Sequence, residues 1–324
     1  MKKYLSISLW VVALVSSLAI AAVPPSKTVP LITGRDANPS SWHRIEIDSR
    51  DQVLEVWDKY NFTTEAIKDG ERTIPRIYLS TIPARWGQTV APGLTIHDKK
   101  ITFLFALAPM VLAVDEELVL ERKRLKLLIA QHKAGKPWDQ SGKIWFHELA
   151  TRYGIKDNEI TSTTLDELAT RVDTIPASLV LAQAADESGW GTSRFAAQGN
   201  ALFGQWTYEG NGINPREQRT ASKGDYEVRA FANPMDSIRA YFLNLNTHRT
   251  YEALRQKRRT LREEGKPVTG IELSSGLLKY SERGQVYVDE LRELIHRNHL
   301  DLADSMSLRD MTPILLIPVG EGVD

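Results

Sequence analysis

Ile175-Pro-Ala-Ser-Leu-Val-Leu-Ala-Gln-Ala-Ala-Asp-Glu-Ser-Gly-Trp-Gly191 reads as a helix that stops at a glycine-rich turn. Thr174 offers a side-chain oxygen as N-cap, and Pro176 suits a first turn. Leu179, Ala182 and Ala185 lie three apart with Leu181 beside them, which predicts one inward face. Gly189 and Gly191 let the chain turn sharply. Glu187 sits in the last turn, where the helix end disfavours a negative charge, and Trp190 lowers the local polarity. Both effects favour a carboxyl that keeps its proton near neutral pH, as a general acid must. Gln183 lies one turn earlier on the same face, placed to hold the acid or to touch substrate. Asp186 points about 100° away around the helix.

Downstream, Ser193 to Gln198 reads as a short helix, and a polar stretch from Thr207 to Gly224 reads as a loop or hairpin. Tyr226 to Phe231 suits a strand. Helical spacing resumes at Pro234 and again over 251–264, 270–278 and 285–297. The tail from Asp301 has an apolar patch, Ile314 to Ile317, that either docks or frays. Upstream, Thr164 and Glu167 suggest a capping box, as do Ser49 and Gln52. Residues 97–132 form the longest periodic segment, a buried half followed by a charged, exposed half, with Pro109 expected to kink or divide it. Residues 74–83 look extended. The fold class is mainly α (α+β), with one small β region inside the second half.

The N-terminus has Lys2 and Lys3, an apolar run and small residues near Ala21 and Ala22, the pattern of a secretory signal peptide. The expected organisation is a signal peptide at 1–22, a linker at 23–44, a helical region at 45–135, a further domain after it and a tail at 301–324. No later stretch is apolar enough to span a bilayer. Export without any cysteine points to a bacterial periplasm. The 41 basic and 41 acidic residues balance, which argues against nucleic acid as partner. Lack of cysteine excludes a thiol nucleophile. The seven histidines show no metal-ligand spacing, so neither metal nor cofactor is expected.

Glycosidic cleavage needs a proton donor and usually a second carboxylate. Glu209, Glu217 and Asp225 lie in the polar β region, and Glu217 is favoured because it is central in the hairpin. Trp190, Phe203, Trp206, Tyr208, Tyr226 and Phe231 supply rings that can stack on sugars; core packing is the competing reading and is preferred for Phe203.

Gln183-Ala-Ala-Asp-Glu-Ser-Gly-Trp-Gly191 followed by Asn200-Ala-Leu-Phe-Gly204 resembles the signature of bacterial glucosaminidases that cut peptidoglycan, among them flagellar hydrolases and autolysins. The resemblance covers roughly residues 140 to 300. It implies a lysozyme-like helical lobe with a small β lobe and a groove between them. It also implies that Glu187 is the proton donor, and that Asn200 and Phe203 shape the floor of the site. Phe231 stands where the family usually has a tyrosine. Tyr280 falls in a segment similar to the family's late tyrosine segment, with an insertion. The expected reaction is hydrolysis of the β-1,4 bond after N-acetylglucosamine in peptidoglycan glycan strands, by water or acetamido attack. Two other readings stay open: a peptidoglycan-binding or scaffold protein without turnover, and muramidase-type cleavage.

Overall fold

The computed structural model describes residues 39–156, 159–210, 212–215 and 226–320; the expected leader and most of the expected linker lie outside them. The N-terminal part carries β1 (His43–Ile47), α1 (Arg50–Lys59), α2 (Thr64–Lys68), β2 (Thr73–Ile74), β3 (Ile77–Leu79), the single turn α3 (Ala91–Gly93) and α4 (Ile96–Lys133). Next come α5 (Gln140–Arg152), α6 (Ser162–Arg171), α7 (Ala177–Ser188) and α8 (Arg194–Gly199). β4 (Trp206–Thr207), β5 (Gly212–Ile213) and β6 (Glu227–Arg229) form a small antiparallel sheet in the order β4-β6-β5. α9 (Pro234–Thr247), α10 (Glu252–Glu263), α11 (Gly270–Ser274) and α12 (Gln285–Arg297) follow, then β7 (Ser307–Leu308) and β8 (Ile314–Pro318). The architecture is mainly α with small β parts.

α7 is the axis of the helical body. It packs against α4, α11, α12 and the turn at 300–305. Every residue from Ala177 to Ala185 is buried, so the single inward face expected for this helix is in fact an all-round one. Its small side chains let neighbours approach from every side. The start also differs from the reading above. Pro176 occupies the cap position and makes no side-chain cap, while Thr174 Oγ1 accepts from the Arg262 guanidinium at 3.1 Å. The helix is capped from a distance instead. The Asp304 carboxylate accepts the Ser178 N–H and hydroxyl, each at 2.8 Å, and the Gly270 N–H at 3.1 Å. A carboxylate there also complements the positive helix end.

α4 runs unbroken through Pro109, whose neighbours Ala108 and Met110 are buried. Packing on both sides outweighs the one missing hydrogen bond. Its charged half is less exposed than expected. Glu117 and Glu121 are buried, Glu117 on the Arg239 guanidinium and Glu121 on Arg152 and the Tyr153 hydroxyl. The capping box of α6 uses Thr161 and Thr164, one turn ahead of the expected pair, and Gln52 accepts from the Asp48 N–H while Ser49 caps α1.

More β structure is present than the single region expected. β8 is the central strand of a parallel sheet ordered β1-β8-β3, and β2 pairs with β7. The apolar patch at 314–317 is thus docked, with Ile314 and Leu316 buried between the two N-terminal strands. The extended reading of residues 74–83 holds at β3, but its partner in β8 lies more than two hundred residues away, so no local pattern announces the pairing.

The approach to α7 is fixed by Arg258, whose side chain is 1% exposed. It donates to the carbonyls of Thr170, Asp173 and Thr174 at 3.0, 3.2 and 2.9 Å and to Asn246 Oδ1 at 2.8 Å. The first of these carbonyls belongs to the last turn of α6, where a cation is favoured. Arg258→Met keeps the volume and strands those acceptors, so it should lower unfolding stability by about 3 kcal/mol, read by urea denaturation.

Candidate active site

The last turn of α7 and the faces of α9 and α12 meet around Glu187. Glu187 Oε1 accepts the Tyr287 hydroxyl at 2.8 Å. Tyr287 in turn accepts Gln183 Nε2 at 2.8 Å, and Gln183 Oε1 accepts the Tyr241 hydroxyl. Gln183, Tyr241 and Tyr287 are each fully buried. In this orientation the Gln183 amide accepts at one end and donates at the other, so the hydrogen bonds run in one direction from Tyr241 to Glu187. Because Gln183 donates to the Tyr287 oxygen, the Tyr287 proton is free to point only at Glu187. Oε1 is therefore an acceptor, and a neutral Glu187 carries its proton on Oε2.

Burial pushes the Glu187 carboxyl up from 4.5 to about 7. The Tyr287 hydrogen bond opposes this, the Asp186 charge adds to it, and Arg283 counters it. The direction matches the reading of the helix end, but its main cause is loss of water. Tyr241, Tyr280 and Tyr287 are held well above the usual phenol range, first by burial and then by the Glu187 charge among others, so they remain donors at neutral pH. Asp186 turns away as expected and meets Arg283 at 3.1 Å; Arg283 also lies over the Tyr287 ring at 5.0 Å.

Two further residues singled out from the sequence join this group. Phe203 stacks on Tyr241 with centroids 4.0 Å apart, and Tyr280 stacks on Tyr287 at 5.5 Å. Both are buried, and they support the hydrogen-bonded rings from behind. Asn200 and Phe231 form a second group. Asn200 adopts a left-handed backbone (φ 51°), donates to the Phe231 carbonyl at 3.1 Å, and accepts from the Ile82 N–H at 2.8 Å and the Thr81 hydroxyl at 3.1 Å. The half-buried Phe231 ring lies under the Arg229 guanidinium at 5.0 Å. Trp206 stacks on Tyr226 at 4.2 Å on the small sheet. Glu209 is exposed after β4, and Glu217 lies outside the described residues.

The Trp190 ring packs against α4. It meets Phe103 edge-on at 5.9 Å with Lys100 Nζ 4.8 Å above it. With Lys100, Glu290 and Arg297 it lines a shallow cavity of about 650 Å³ whose lining does not include Glu187. Trp190 also has φ 62°, a left-handed conformation that costs a bulky residue about 1–2 kcal/mol. Among the described residues, no group of three or more His, Asp or Glu side chains is arranged to hold a metal ion, and no helix is long and apolar enough to cross a membrane.

Tyr241 and Tyr287 are site residues that the helical spacing from Pro234 and over 285–297 makes core positions of their helices. A signal was present: each puts a hydroxyl into an apolar stripe, and a buried hydroxyl demands a partner.

Residues 162–300 match the family described as mannosyl-glycoprotein endo-beta-N-acetylglucosaminidase. That stretch contains α7 with Glu187 and α12 with Tyr287. The chain is also 31% identical over 210 residues to Protein bax of Escherichia coli (strain K12), covering 64% of this chain and 73% of that protein. No solved structure matches. By the matched stretch and the length shared with that relative, the chain belongs to the glucosaminidase family.

Proposed function

We propose that this protein is an exported glycoside hydrolase that cuts the β-1,4 bond after N-acetylglucosamine in peptidoglycan, with Glu187 as general acid. The observation that carries the reading is a carboxyl poised near pH 7 with one oxygen tied to Tyr287. Near neutral pH a large share of the protein holds the proton on Oε2. Transfer to the glycosidic oxygen breaks the bond to the leaving sugar and leaves a carboxylate. The Tyr287 hydroxyl then stabilises that charge. Either water attacks the anomeric carbon and gives its proton to solvent, or the substrate's own acetamido oxygen attacks and water then opens the resulting oxazolinium ring, its proton returning to the Glu187 carboxylate. Family membership supports glycosidase chemistry, and the resemblance of 183–191 and 200–204 to peptidoglycan-cutting members supports the substrate.

The test is digestion of purified sacculi, borohydride reduction and mass spectrometry. Reduced N-acetylglucosamine ends support the reading. Reduced muramic acid ends would move the cut to the other bond, and binding without release would make the protein a wall-binding scaffold.

Tyr287→Phe removes the donor and keeps the ring. A hydrogen bond to a charged group contributes about 1.5–3 kcal/mol, so kcat/KM should fall roughly 10- to 100-fold. Because that bond lowers the Glu187 pKa, its loss moves the alkaline limb of the pH profile upward. A profile with that limb unmoved would deny Tyr287 this role.

A further inference from the structure

The two loops that follow Glu187, Gly189 to Thr192 and Asn200, are gripped by residues from far upstream. Trp86 Nε1 donates to the Trp190 carbonyl at 2.9 Å. That carbonyl belongs to the left-handed residue at the end of α7. Next to it, Gly191 is pressed so closely that a side-chain carbon there would lie 3.0 Å from the Phe103 ring and 3.2 Å from Trp86 Nε1. At Gly87 an added carbon would lie 2.6 Å from the Thr192 carbonyl oxygen. On the other side, Ile82 and Thr81 hold the Asn200 side chain. Trp86 to Val90 forms a single π-helical turn, a rare geometry that recurs at functional sites. All of these gripping residues lie outside the stretch that matches the family, residues 162–300.

We propose that residues 81–87 are a positioning clamp for the active site: they hold the end of α7 and the Asn200 turn in register, so that Glu187 stays seated against Tyr287. None of them makes a hydrogen bond to Glu187. Their effect runs through backbone. Trp190 adopts a conformation it would leave if released, and the Trp86 indole holds its carbonyl. The last turn of α7 is continuous with that residue, because the Trp190 N–H donates to the Ala185 carbonyl at 2.9 Å. Loss of the clamp lets the last turn relax and lets water reach the carboxyl.

The inference rests on the reading of Glu187 as the acid, so its test separates the two. Trp86→Phe keeps an aromatic side chain but deletes the indole N–H together with the five-membered ring. Gly87→Ala pushes the clamp off the Thr192 carbonyl. Leu149→Ala, in the buried face of α5, serves as a control for general loss of stability. Sacculus digestion is measured with the full chain, well below each melting temperature. Both clamp variants should lose about tenfold or more in kcat with KM little changed, since small misplacements of a reacting group are costly. Their alkaline limb should move to lower pH. The ionisable groups around Glu187, which are Asp186, Arg283 and the phenols of Tyr241, Tyr251, Tyr280 and Tyr287, are untouched in both. Leu149→Ala should keep the wild-type kcat and profile.

If the wild type is active and both clamp variants match it, the clamp falls and the acid assignment stands. Equal loss of kcat in Leu149→Ala at equal stability would also overturn the clamp. If the wild type releases nothing, the acid assignment falls, and carbon-13 NMR of labelled glutamate decides the clamp, with Glu187 assigned by its loss in Glu187→Gln. A midpoint that drops in Trp86→Phe supports the clamp; an unmoved midpoint overturns it.

Discussion

Glu187→Gln should lower fragment release from sacculi by about 100- to 10,000-fold and, at pH 8, make the protein harder to unfold. The two effects share one cause. Glutamine keeps the shape and still accepts the Tyr287 hydroxyl, but it carries no proton to give. In the wild type the folded state holds this carboxyl up at about 7, against 4.5 without the fold. Between those values the native state binds more protons than the unfolded chain. Stability contributed by this group is therefore present below about pH 4.5 and lost as the pH rises through 7. Above that, the buried charge costs up to about 3 kcal/mol. The amide escapes this cost. Urea unfolding of both proteins across pH 4 to 8.5 should give curves that converge in acid and separate in base. A variant that is inactive but no more stable at pH 8 would mean that the carboxyl is not desolvated, and the acid assignment would lose its physical ground.

The second large effect concerns the far end of the chain. Stopping translation after Thr312 removes β8. β1 and β3 do not pair with each other, so both lose every strand partner at once. Ile314 and Leu316 leave the core, and Ile47, Ile77 and Tyr78 lose their cover. Each buried apolar side chain contributes about 1.5–3 kcal/mol, so the sum approaches the whole stability of an ordinary domain. The shortened protein should be recovered mainly as insoluble material or should unfold without a cooperative transition. A soluble, cooperatively folding product with wild-type turnover would refute the structural role given to this strand. Leu316→Ala is the gentler check, with an expected loss of about 2–5 kcal/mol.

Local patterns in the sequence reached most of the helical body. α12 begins and ends where its Tyr287, Leu291, Leu294 and Ile295 spacing puts it, and Ser193 caps α8 as a short polar residue before a helix should. α7 was legible because it ends in glycine. What was not legible depends on distance. Asp304 caps α7 from 126 residues away, and no motif near Thr174 hints at it. The parallel sheet joins segments far apart in the chain, one of them, β1, largely exposed. Within the candidate site, the carboxyl and Gln183 could be read from one helical turn. The phenols that order them come from two other helices, where tyrosine at a core position looks like any other large apolar residue. Trp190 was read as a neighbour of the acid because it is near in sequence. The left-handed turn after Ser188 brings its ring against Phe103 of α4.

The position of β8 also has a consequence in time. Arg85, just beyond β3, is held by a carbonyl 234 residues later. A ribosome adding about 5–20 residues per second needs on the order of ten seconds or more to cover that distance. Throughout that interval the nascent β1 and β3 lack the strand that both pair with. The parallel sheet is therefore closed only by the last of its three strands to be synthesised.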